Sequence, residues 1–142
     1  MAETYMILIV EPDWDPADVG PQEWTEVMQA FEAFEAAVVA AGARILDGAA
    51  LDGSKRHVRI DPATADRPAV HTDGPFAETK EFVTGYYKLE VTDAAQARQL
   101  AALCPTWGHL LLVPCLDLAG DGTDAGAGAV AEPAAVPAGG PA

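Results

Sequence analysis

Two stretches of this chain, YMILIV (residues 5–10) and HLLLVPC (109–115), are apolar on both strand parities. Side chains alternate between the faces of a strand, so a run with no polar parity calls for burial on both faces. What can cover those faces depends on the elements between the runs. Pro21 can open a helix, where its missing N–H costs nothing. Trp24, Val27, Met28, Phe31, Phe34 and Val38 follow at spacings of three and four, and Gly42 supplies a stop. Such an aromatic stripe is the signature of a core-facing helix. ARILDGAAL (43–51) predicts a second strand with an irregularity at its glycine. HVRI (57–60) and PAVHT (68–72) flank DPATADR as a hairpin. GYYKLEV (85–91) is a further strand, and Asp93 caps a second helix that runs through Cys104 to Pro105.

The order is β-α-β, a hairpin, then β-α-β. Two helices can cover one face of the resulting sheet, which predicts an α+β, ferredoxin-like sandwich. The other face of YMILIV and HLLLV needs a different cover. A second copy of the chain, sheet against sheet, supplies it and predicts a homodimer.

Charge narrows the partners. The 142 residues include 22 acids and 8 bases, a formal net charge of −14. Nucleic acids and anionic membranes are bound through clustered Lys and Arg, so neither is expected as a partner. No apolar run approaches the roughly 18 residues that a membrane span needs. MAETYMILIV has no basic n-region and too short an apolar core for a signal peptide, so a cytoplasmic location is expected. Cys104 and Cys115 form no CxxC pair and are expected to be buried free thiols. Beyond Leu118 the segment AGDGTDAGAGAVAEPAAVPAGGPA has no Lys, Arg or aromatic residue. Such a segment cannot bury enough apolar area to offset its ordering entropy. The expected organisation is one folded domain over residues 1–118 and a disordered, Ala/Gly/Pro-rich tail over 119–142.

Residues 71–87, HTDGPFAETKEFVTGYY, hold most of the chemistry. Asp73-Gly74-Pro75 predicts a tight turn, with the Asp73 carboxylate bonded forward to the backbone and Phe76 tucked beneath. AETKEF (77–82) suits one helical turn, bringing Glu78, Lys80 and Glu81 to a strand edge. His71 and Asp73 share a strand face by period two. An aspartate beside a histidine stabilises the imidazolium and suits general acid–base catalysis; alternatively, Asp73 merely caps the turn. Tyr87, Leu89 and Val91 form the parity expected beneath the helices. Tyr86 then points the other way, as a ligand contact. His57 and His109 fit strand edges. No histidine spacing suits a metal, and neither metal nor organic cofactor is expected. Trp14 and Trp107, in loops after the first strand and before the last, suit a lid over an apolar pocket.

The strings VHTDGPFAETKEFVTGYYKLEV (70–91), YMILIVEP and HLLLVPCLDL together resemble the DGPF family of the YCII-related superfamily, over nearly all of residues 4–118. That resemblance implies a ferredoxin-like sandwich paired into a dimeric α/β barrel. A related branch contains a dehydrochlorinase with a proposed His–Asp site; the helix that bears its histidine reads VMQAFEAFEA here, with none. Other members are encoded beside extracytoplasmic-function sigma factors. Two functions follow. One is a cofactor-independent lyase, isomerase or cyclase, with His71 and Asp73 acting on a small hydrophobic or aromatic metabolite in the dimer barrel. In that case Trp14, Phe76, Glu78, Lys80, Tyr86 and Trp107 bind the substrate. The alternative is a non-catalytic ligand-binding or accessory protein tied to sigma-factor regulation. Independently of function, truncation after Leu118 is expected to leave the melting temperature unchanged in a thermal scan; a clear drop would mean that the tail packs on the body.

Overall fold

A computed structural model of the chain describes residues 2–76 and 79–118. Glu78 and the proposed tail, 119–142, lie outside the described residues. In chain order the elements are β1 (Glu3–Glu11), α1 (Pro21–Ala40), β2 (Arg44–Ala50), β3 (Val58–Asp61), β4 (Val70–Asp73), β5 (Phe82–Val91), α2 (Ala94–Ala101) and β6 (His109–Pro114). Four strands form an antiparallel sheet in the order β2-β5-β1-β6, while β3 and β4 pair as a separate two-stranded sheet. The result is a mixed α/β fold with two antiparallel sheets, neither closed into a barrel. No helix among the described residues is long and apolar enough to cross a membrane.

Local chemistry sets the helix ends. Pro21 occupies the first turn of α1, and the Gly20 N–H donates to Glu23 Oε1 at 3.1 Å. Gly42, at φ +83°, makes the left-handed turn that ends the helix. At α2 the Asp93 carboxylate accepts from Gln96 N at 2.9 Å, and Gln96 Oε1 accepts from Thr92 N at 2.8 Å, a reciprocal cap. The regular helix ends at Ala101, short of Cys104.

One face of the main sheet carries the core. Ile7, Tyr87 and Leu89 lie fully buried under Phe31, Phe34 and Val38 of α1. Phe34 and Tyr87 meet at a centroid distance of 5.0 Å. Each such side chain contributes about 1.5–3 kcal/mol through area removed from water. The Tyr87 hydroxyl leaves the core by donating to Glu35 Oε2 at 2.6 Å. The opposite parity has no helix over it. There Leu8 stands between Tyr86 and Leu111, and Met6 between Lys88 and Val113; Leu111 and Val113 are exposed.

Two local expectations need correction around the DGPF string. Ala77 and Glu78, where the expected helical turn starts, lie outside the described residues; Thr79–Glu81 belong to no regular element, and β5 begins at Phe82, three residues earlier than its sequence suggests. A neighbouring strand extends it: Phe82 pairs with Glu11 across the sheet. The Asp73 carboxylate also makes no hydrogen bond among the described residues. The turn is held instead by the Gly74 N–H, which donates to the His57 carbonyl at 2.8 Å, and it contains a cis Gly74-Pro75 bond. A Cβ at Gly74 would overlap the Ser54 carbonyl oxygen, so glycine is required by close backbone approach. Gly74→Ala is therefore expected to cost about 1–3 kcal/mol through overpacking. Asp73→Ala should stay within about 0.5 kcal/mol, as exposed substitutions do. Denaturant titration of both variants checks the order; an Asp73→Ala loss equal to that of Gly74→Ala would restore the cap.

Candidate functional site

A cavity of about 410 Å³ opens between the N-terminal half of α1 and one end of the main sheet. Its floor is Ile9 and Glu11 of β1 with Thr84 and Gly85 of β5. Trp24, Val27 and Phe31 of α1 form one wall; Trp14 and the Pro105–Trp107 loop close the sides. So the helical stripe does two jobs: Phe31, Phe34 and Val38 are core, while Trp24, Val27 and Phe31 also face the cavity.

A register step builds the floor. Ile9 stands opposite Gly85 but Val10 opposite Val83, which leaves Thr84 as an extra residue in β5. Such bulges re-aim side chains. Here the Thr84 hydroxyl turns inward and donates to Glu11 Oε1 at 2.6 Å. The other carboxylate oxygen of Glu11 accepts from Trp107 N at 2.7 Å and from Thr106 Oγ1 at 3.2 Å. One carboxylate thus joins β1, β5 and the loop that carries Trp107.

The Trp14 side is held separately. Asp13 Oδ1 accepts from Trp14 N and Ser54 N, both at 2.9 Å, while the Ser54 hydroxyl donates to Oδ2. Those Ser54 bonds hold the Asp13 carboxyl below its usual range. Lys55 Nζ reaches Asp15 at 2.6 Å, and that hydrogen bond likewise lowers the Asp15 pKa. The loop after β2 is in this way clamped to the loop after β1. Trp14 meets Trp24 edge to face, with centroids 5.7 Å apart. Its indole Nε1 is buried with no hydrogen-bond partner among the described residues.

The cavity polarity is one-sided. Glu11, Glu23 and Glu26 line it, and no Lys, Arg or His among the described residues does. Cys104, buried nearby in the core, has its thiol pKa pushed up to about 12 by desolvation, then by the Glu11 charge, which keeps it protonated. No group of three His, Cys, Asp or Glu among the described residues could hold a metal ion.

Of the residues singled out from sequence, Trp14 and Trp107 come together at this cavity. The others among the described residues do not line it. His71 and Asp73 lie exposed on β4, opposite Ile60 and Val58, and form no hydrogen bond to each other. Tyr86 is on the helix-free sheet face, donating to Asp47 Oδ2 at 3.0 Å; burial, then that carboxylate, raises its pKa. Phe76 is half-buried and Lys80 exposed. His57 packs on the Phe82 ring at 5.4 Å, and His109 lies 3.6 Å from Glu81. The sequence did hold a signal for Glu11. It continues the parity of Ile7 and Ile9, so an acid there ends a buried row. Thr84 and Thr106 had none, because a bulge and a loop aim them.

Removing the Glu11 carboxylate takes away the shortest hydrogen bonds of the Thr84 hydroxyl and the Trp107 N–H. Glu11→Ala is expected to cost about 1–2 kcal/mol, since hydrogen bonds to a charged group are lost while the Thr84 hydroxyl keeps the Ile9 carbonyl as an acceptor and the exposed Trp107 N–H can turn to water. Glu11→Gln, which keeps one acceptor oxygen, should cost less. Urea unfolding monitored by tryptophan fluorescence reads both; equal stability of Glu11→Ala and the parent chain would remove the carboxylate from its structural role.

No curated protein matches the chain. The family model of the YCII-related domain matches residues 5–111, from β1 into β6 and across every element that bounds the cavity. Because that match spans well over half of the 142 residues, the chain belongs to the YCII-related domain family.

Proposed function

We propose that this protein binds a small, largely apolar or aromatic metabolite in the cavity beneath α1, as a ligand-binding or accessory protein. One observation carries this: Trp14, Trp24 and Trp107 converge from three separate segments on one space of about 410 Å³. That volume and an apolar lining with a few placed polar groups are the usual make-up of small-molecule sites. Val27→Trp should fill the cavity and abolish binding of aromatic fragments in ligand-observed NMR. Trp107→Ala, with 63% of the parent residue exposed, should weaken binding about tenfold while the fold persists. Fragments that bind Val27→Trp as well as the parent chain would place the ligand elsewhere.

A second function, acid–base catalysis without a cofactor, has its own support. His71 and Asp73 project from one face of β4 into solvent, unengaged among the described residues. We infer that they would act on a substrate that reaches them from solvent, with Tyr86 as a further contact to it. Phe76, Glu78 and Lys80 would be recruited to that site. The strand order favours a ferredoxin-like protomer, and exposed Leu111 and Val113 favour a homodimer through the helix-free sheet face. The DGPFAETKE string favours the DGPF subgroup, with its sigma-factor association, and the free thiols of Cys104 and Cys115 suit the cytoplasm. His71→Ala and Asp73→Asn should each lower turnover by about 10²–10⁴; undiminished turnover in both would eliminate the pair.

A further inference from the structure

We propose that the cavity beneath α1 selects organic cations, its preferred ligand being an aromatic or alkyl amine rather than a neutral compound or a carboxylate. The inference rests on the ligand-binding function proposed for that cavity and adds the charge of the ligand. Two features of the wall are independent of each other. First, four aromatic rings, Trp14, Trp24, Trp107 and Phe31, line the space, and aromatic π-systems attract ammonium groups through the partial negative charge of their faces. Second, every charged side chain among the described lining residues is a carboxylate.

The carboxylates differ in what they have left to offer. Both oxygens of Glu11 already accept from Thr84, Thr106 and Trp107, so Glu11 contributes field more than contact. Glu23 uses Oε1 on the Gly20 N–H, and Glu26 makes no hydrogen bond or ion pair among the described residues. Both are exposed on α1 at the mouth, where a cation would pass or rest. An anionic ligand would enter against three like charges with no basic side chain to receive it. A neutral ligand would gain apolar burial alone. A protonated amine gains that burial, the π-faces and the carboxylates together.

A matched series tests the idea on the full chain: 2-phenylethylamine, 2-phenylethanol and 3-phenylpropionate, titrated at low salt by ligand-observed NMR. The amine is expected to bind about tenfold tighter than the alcohol, with the carboxylate weakest. In the double variant Glu23→Gln/Glu26→Gln the amine should lose about fivefold while the alcohol is unchanged. Glu32→Gln, an exposed position on α1 away from the cavity, should change neither. An alcohol that binds as tightly as the amine, or a carboxylate that binds tighter, would overturn the cation preference and leave the cavity as a binding site. An amine preference untouched by the double variant would overturn the part given to Glu23 and Glu26, and one that the double variant leaves intact but about 0.5 M salt abolishes would overturn the local account altogether, assigning the effect to the overall charge of −14. Failure of all three probes to bind at about 10 mM would overturn the cavity as a ligand site as well.

Discussion

The carboxylate of Glu11 is where three separated stretches of this chain meet. It ends β1, accepts the hydroxyl of the bulged Thr84 in β5, and receives the Trp107 N–H from the loop before β6. A short apolar strand could end anywhere in the sheet. An acid at its tip, on the parity that faces the helices, has to be satisfied by donors brought from elsewhere. Satisfying it draws the α2–β6 loop over the sheet end, and the space left beneath that loop is the cavity. Cavity geometry and structural necessity thus share one residue.

A second clamp works by the same logic on the opposite side. Asp13 accepts from both the backbone and the hydroxyl of Ser54, and Lys55 reaches Asp15. Trp14 lies between these anchored groups, so its ring is positioned by bonds its own side chain does not make. The wall of the cavity is built from loops, yet those loops are tied to strands at both ends. Rigid support for loop-borne binding groups is how many small-molecule sites are made. The acidic character of the chain takes on local meaning there, because the carboxylates at the mouth have no basic neighbour among the described residues that line the same space.

The DGPF stretch illustrates how a turn motif can be legible and still mislead. Asp-Gly-Pro is ordinary turn chemistry, and the chain does turn there. The carboxylate expected to cap it makes no hydrogen bond among the described residues, while the glycine is needed because the Ser54 carbonyl passes too close for a Cβ. Only a backbone segment about twenty residues away imposes that condition. His71 and Asp73 were likewise correctly placed on one strand face. Period-two geometry says nothing about whether two side chains meet, and across β4 they do not bond.

What the sequence determined by itself is what periodicity and local backbone chemistry control. The helix from Pro21 to the Gly42 stop, the Asp93 cap, the hairpin around DPATADR and the burial of Tyr87, Leu89 and Val91 all follow from spacing within one element. Trp14 and Trp107 were recognisable as loop aromatics near a pocket for the same reason: their flanking strands were visible. Tertiary structure alone decided that Trp24 joins them, that Thr84 bulges toward Glu11, and that β5 begins at Phe82. Each of these depends on a partner far away in sequence. Register and close approach are fixed by pairing across the sheet, and no local pattern encodes which donor will find a given carboxylate.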